Sequence, residues 1–280
     1  MSLVTIKSDK ITAVISSKGA ELQSVVDQNG KEYIWQRDPA FWAMCAPILF
    51  PVAGGFREDR YEWEGKSYPM PKHGYVRLIE WQVEDVKENQ ATFLMQEKHE
   101  GFPWEYDMRV IFTAEGNAIS VAYQMTSRDD RPFCFSYGAH EAYATPEGLE
   151  AYEIVFDEEE TLANYELVGN LTKREPTIMA EKTKTMPLKT EYFAVDALVF
   201  RTLKSRAVTL KGGDRQVRVE FPDHPVCMFW TKPGANYICI EPWCNGPDFV
   251  DADFQIDKKP GFMRIEKGET ITRTHKIIVG

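Results

Sequence analysis

Two histidines and one glutamate carry the strongest chemical suggestion in this 280-residue chain. His73 stands in Lys72-His73-Gly74-Tyr75-Val76-Arg77, His140 in Ser136-Tyr137-Gly138-Ala139-His140-Glu141, and Glu241 in Tyr237-Ile238-Cys239-Ile240-Glu241-Pro242-Trp243. An imidazole titrates near pH ~6.5, so a modest change of surroundings lets it hold and release a proton near neutrality. A carboxylate closing an apolar run is costly to ionise unless paired or hydrogen-bonded, and such surroundings raise its pKa toward a working range. Together these are the parts of a general acid–base site. Each also has a plainer reading, His140 as a satisfied residue at the rim of the core and Glu241 as the partner of a lysine or arginine at a sheet edge.

Further residues suit a polar ligand. Arg57 ends Gly54-Gly55-Phe56-Arg57, where small residues let a ligand approach the backbone and a guanidinium offers several directed donors; an ordinary surface arginine is the alternative. His73 and Arg77, four apart, share one face if the segment is a strand and not a loop; a structural salt bridge from Arg77 to a nearby acid is the plainer reading. Asp196 precedes the apolar run Ala197–Phe200, a place where aspartate often only caps a turn. Trp35, Trp42, Trp230 and Trp243 offer aromatic surface, most of it expected in the core, with Trp243 singled out as a ligand platform. His99, His224 and His275 share no ligand spacing, and Asp248, Asp251 and Asp253 lack the glycine turn and bidentate glutamate of a calcium loop. No metal site is predicted. Asp157–Glu160 reads as a solvated charge run.

The elements that must position these groups are short β-rich runs recurring from Leu3–Ile6 to Thr270–Val279. Turn sequences such as Asp27-Gln28-Asn29-Gly30 and Lys211-Gly212-Gly213-Asp214 bound them, the pattern of antiparallel hairpins. Only Pro39–Cys45 and Asp248–Asp251 offer room for a helical turn, so very little helix is expected. With nothing else to cover them, the sheets must pack on one another as a large sandwich, barrel closure being the alternative. Asp157–Thr190 is expected to leave the sheet in long excursions. No linker or repeat divides the chain, and residues 1–280 read as one domain.

The net charge of −10 argues against nucleic acid or anionic lipid as partners. Five cysteines, an odd number without a C-x-x-C pair, suggest neither disulfide framework nor zinc ribbon. The first ten residues carry no apolar signal region and no stretch is long enough to span a membrane; a reduced, cytoplasmic setting is expected. Asn170-Leu171-Thr172 matches a glycosylation sequon that such a setting leaves unused.

Taken in order, several landmarks resemble one family along the whole chain. They are Lys18-Gly19-Ala20-Glu21-Leu22, Leu49-Phe50-Pro51, Gly55-Phe56-Arg57, His73-Gly74-Tyr75-Val76-Arg77, Gly138-Ala139-His140, Asp196-Ala197-Leu198-Val199-Phe200 and Ile240-Glu241-Pro242-Trp243. The family is that of the aldose 1-epimerases (galactose mutarotases), especially its LacX-like branch and the related hexose-6-phosphate mutarotases. The resemblance implies an all-β, galactose mutarotase-like β-supersandwich of antiparallel sheets with a sugar cleft on its concave sheet, an isomerase acting without cofactor or metal. It makes His140 the general acid and Glu241 the general base, with Arg57, His73, Arg77, Asp196 and Trp243 contacting substrate. It implies that Glu241 takes the anomeric proton while His140 protonates the ring oxygen; the ring opens, C1–C2 rotates and the ring recloses. The substrate expected is a monosaccharide or sugar phosphate, bound by a monomer or homodimer. The longer His-Gly-Gly segment and the Asn-His motif of galactose mutarotases proper are missing, which argues against free galactose. A glycoside hydrolase would ordinarily need two carboxylates, and a non-catalytic sugar-binding protein would not need both proton-transfer groups.

Overall fold

The computed structural model describes every residue from Met1 to Gly280. Alternation governs two of its long strands: Tyr106–Glu115, and Ala118–Ser127 from Ile119 onward, bury every second side chain, as a sheet with one face on a core requires. The five helical segments are 3-10 turns of three or four residues, so sheet covers sheet, and the expected all-β architecture with very little helix is the one observed. No helix is long and apolar enough to cross a membrane.

One antiparallel sheet of thirteen strands dominates. From its edge at Glu141–Ala144 it runs through Tyr237–Trp243, Val226–Trp230, Leu198–Phe200 and Glu153–Asn164. It continues through Ala207–Gly212, Arg215–Glu220, Thr270–Val279, Ala118–Ser127, Tyr106–Glu115 and Gln90–Met95 to Gln82–Val86, and the thirteenth strand, Thr177–Pro187, pairs with Glu153–Asn164 off this path. A continuous apolar core draws on both ends of this path, from Phe93, Val110 and Val121 to Ile154, Leu210 and Ile240.

Alternation along Tyr237–Trp243 prepares the functional face. Ile238 and Ile240 enter the main core, whereas Tyr237 and Cys239 join one smaller apolar cluster and Trp243 another. Glu241 belongs to this second row, between the two clusters and opposite Met228 on the neighbouring strand. Across the sheet edge Glu141 pairs with Ile240. Glu141 therefore faces the core, where its Oε1 lies 3.0 Å from Nε2 of the fully buried His275, and His140 faces the other way.

Three sequence readings need correction. The stretch Asp157–Thr190 leaves the large sheet only in part: Glu153–Asn164 and Thr177–Pro187 form a long bulged pair whose outer member is mostly exposed, so its polar composition suits an edge strand, while residues 165–176 between them leave the sheet around the small hairpin Leu167–Val168 and Leu171–Thr172. Within the charge run, Glu160 is buried and accepts the Lys204 and Ser205 amides and the Ser205 hydroxyl at 2.7–3.1 Å. Pro39–Phe41 and Val250–Asp251 form tight turns with no helix.

Removing the Glu160 carboxylate strands buried donors, which costs about 1–3 kcal/mol. Glu160→Ala should lower the urea midpoint accordingly, and Glu160→Gln, which keeps the principal acceptor oxygen, should lose less.

Candidate active site

The row that carries Glu241 opens into a cavity of about 650 Å³, within the roughly 300–1,000 Å³ of small-molecule sites. His73, Arg77, His140, Asp196, Glu241 and Trp243 all line it. His140 Nε2 lies 3.3 Å from Glu241 Oε2. This proximity follows from strand pairing: the Ala139 amide donates to the Pro242 carbonyl at 3.0 Å, and His140 and Glu241 project from these adjoining backbones to the same side. The His140 ring packs 5.0 Å from Trp42 and 5.9 Å from Trp230, which hold it in an apolar wall. The Trp243 indole N–H donates to Ala139 O at 3.0 Å, so this residue offers a ligand only its ring.

Burial sets the protonation of the pair. It raises the Glu241 carboxyl well above the usual range, with Asp196 and Glu141 adding to the effect and Lys72 opposing it. It lowers the His140 imidazole, and the charges of Lys72 and Arg77 push the same way. The free cavity thus favours a neutral carboxyl beside a neutral imidazole, in place of the ionised carboxylate and imidazolium expected from sequence. Both arrangements contain one proton.

His73 lies on a turn, so the strand premise that placed it with Arg77 does not hold. His73 and Gly74 both have positive φ, 67° and 66°, and Arg77 sits in the 3-10 turn Val76–Leu78. The two still meet at the cavity because the turn is held from several sides. His73 and Gly54 exchange two hydrogen bonds, the His73 amide to the Gly54 carbonyl at 2.8 Å and the Gly54 amide to His73 Nδ1 at 3.1 Å. The second bond leaves the proton of a neutral ring on Nε2. Arg77 donates to the carbonyls of Lys72 and Gly74 at 3.2 and 3.1 Å. A Cβ on Gly74 would fall 1.8 Å from the Phe50 carbonyl oxygen, so only glycine fits there.

Arg57 is placed elsewhere. Its guanidinium donates to the Ala252 carbonyl at 2.9 Å, lies 3.6 Å from Glu58 and packs over Phe254, outside the residues that line the cavity. Phe56 enters the core and the 3-10 turn beginning at Arg57 carries the chain away. Asp248, set aside as a calcium-loop mimic, is a buried partner of Lys259, with two contacts of 2.8 Å.

Residues not assigned a role from sequence complete the lining: Lys72, Lys232 and Asn170 contribute polar groups, and Trp42 and Trp230, expected mostly in the core, add aromatic wall. Lys72 was legible as the neighbour of His73. Asn170 stood out only as part of a sequon, and Lys232 sits in a turn with no chemical signal of its own.

A cavity floored by a buried carboxyl–imidazole pair, with aromatic walls and polar rim groups, lies on one face of this all-β fold. The sequence matches the Aldose 1-epimerase family over residues 2–277, and the chain belongs to that family. It is 29% identical to the chromosomal LacX protein of Lactococcus lactis subsp. lactis over 99% of both chains. Among solved structures it resembles a galactose mutarotase related enzyme from Lactobacillus acidophilus, at TM-score 0.93 and 26% identity over 100% of this chain and 97% of the other. A galactose mutarotase-like protein from Lactobacillus casei ATCC 334 gives TM-score 0.91 and 25% identity over 100% of both.

Gly74→Ala should dislodge the His73 turn, costing about 1–3 kcal/mol, the range for forced backbone strain. Urea unfolding would measure the loss, and the His73 imidazole resonances should shift while those of the core His275 stay in place.

Proposed function

We propose that the protein is an aldose 1-epimerase that interconverts the α and β anomers of a reducing sugar, with Glu241 as base and His140 as acid. The observation that carries this reading is the 3.3 Å separation of two proton-transfer groups on the floor of an apolar-walled cavity. The anomeric hydroxyl oxygen and the ring oxygen are both bonded to C1, so an acid and a base that share one cavity floor can serve both. Moving the pair's single proton from Glu241 to His140 arms both groups at once. Sugar hydroxyls donating to the carboxylate favour that ionised arrangement. Glu241 then removes the anomeric proton as His140 protonates the ring oxygen. The C1–O5 bond breaks, C1–C2 rotates, and the roles reverse on closure. His73 and Asp196 are positioned to bind hydroxyls, and Trp243, Trp42 and Trp230 to take the apolar faces of the ring. Asp196 already accepts the Ala197 amide at 2.8 Å through Oδ1.

Lys72, Arg77 and Lys232 on the lining favour a phosphorylated hexose over a neutral one. Three cations around one cavity attract a dianion more strongly than they assist a hydroxyl.

Exchange NMR of anomer interconversion on glucose, galactose, xylose and glucose 6-phosphate tests both statements. Glu241→Gln should lose about 10²–10⁴-fold in rate while still binding sugar; near-full activity would remove Glu241 as the base. The rate should be bell-shaped in pH, because below the lower step both groups are protonated and no base remains, and above the upper step neither holds a proton and no acid remains. Lys232→Met should lower kcat/KM for glucose 6-phosphate about tenfold and leave glucose unchanged. Binding of sugar with no exchange on any member would point to a non-catalytic sugar-binding protein.

A further inference from the structure

We propose that His140, Cys239 and Glu241 form a site for a soft divalent cation, Zn²⁺ above all, whose occupancy shuts the proton-transfer pair off. Cys239 and Glu241 lie two apart on one fully buried strand, so both side chains leave the sheet on the cavity side, and His140 projects beside them from the adjoining backbone. Donor atoms from the three residues all lie within 4.8 Å of one another. The His140–Glu241 distance is 3.3 Å, already the edge of a tetrahedron built with Zn–N and Zn–O bonds of about 2.0–2.2 Å. A rotamer adjustment of Cys239 closes the remaining gap to its Zn–S distance of about 2.3 Å.

The donor set selects the ion. One imidazole nitrogen, one sulfur and one carboxylate oxygen suit zinc and its neighbours and are wrong for magnesium or calcium, which require oxygen ligands. Three protein ligands leave a fourth position, and it faces the cavity because His140 and Glu241 line it. Trp42 and Tyr237 wall the site with rings, which keeps competing water out. Binding replaces the Cys239 thiol proton and any proton shared by His140 and Glu241, and releases them to solvent. The lone pairs that would carry the anomeric proton are then held by the metal, so the ion blocks exchange. Metal capture stands on these donors alone; only the inhibition rests on the proposed epimerase reading.

The test is titration of the full chain with Co²⁺, followed by absorption, and with Zn²⁺, followed by calorimetry. Wild type, Cys239→Ser and Cys239→Ala are compared, with circular dichroism checking that both variants fold. Wild type should bind one Zn²⁺ and show tetrahedral Co²⁺ bands with a thiolate-to-cobalt charge-transfer band. Both variants should lose that band and bind Zn²⁺ at least tenfold more weakly, while their metal-free anomer exchange stays within twofold of wild type. Zn²⁺ should inhibit wild type reversibly, with recovery on chelation, and inhibit the variants at least tenfold less. Absence of the charge-transfer band, or equal Zn²⁺ affinity in wild type and variants, overturns the site. Should no sugar be exchanged by wild type, the cobalt spectrum and zinc stoichiometry still decide the metal site, and the epimerase reading fails separately.

Discussion

An ionisable carboxylate in the middle of a fully buried strand is the constraint around which this molecule is arranged. Glu241 has 1% of its surface exposed, and a charge in that position is tolerated only where the surroundings compensate it or let it stay protonated. Strand alternation meets the demand by dividing Tyr237–Trp243 into two rows. The row with Ile238 and Ile240 seals the core, and in the row with Cys239, Glu241 and Trp243 the last two line the cavity. A one-residue slip in pairing would exchange the rows and place the carboxylate in the hydrocarbon interior. The long, continuous sheet therefore sets the chemistry as well as the stability, because it holds that register.

The same arithmetic explains why two glutamates so close together do different things. Glu141 lies on the core side and meets His275 at 3.0 Å, while Glu241 lies on the cavity side and meets His140 at 3.3 Å. Each buried carboxylate has an imidazole neighbour, but only the second pair reaches a space that a ligand can enter. The first acts as an anchor between the edge strand and Thr270–Val279, and it holds in place the segment from which His140 projects.

The cavity wall is assembled differently. His73, Arg77, Lys72 and Lys232 come from turns rather than strands, so precision there depends on hydrogen bonds to backbone. The paired bonds of His73 with Gly54 and the donation of Arg77 to the carbonyls of Lys72 and Gly74 convert a left-handed turn into a rigid support. A cavity with a strand-built floor and turn-built walls keeps the Glu241–His140 pair fixed while the groups around its rim can vary, as loops do on a rigid scaffold.

Much of this was legible in the amino-acid order. Alternating runs and hairpin turns determined an all-β sandwich, and an apolar approach to Glu241 identified a carboxylate with displaced protonation, because both are local properties of a strand. Ordered landmarks pointed to the family. Tertiary structure alone decided which residues meet. It directed Arg57 to Ala252 and Phe254 rather than to the cavity, since the direction of a 3-10 turn depends on what its neighbours pack against. It drew Lys232 and Asn170 to the rim from distant turns and turned Glu160 inward from a run that looks solvated. Periodicity reports which face a residue occupies, but distances across a sheet depend on register and bulges, and those are settled only when the strands pair.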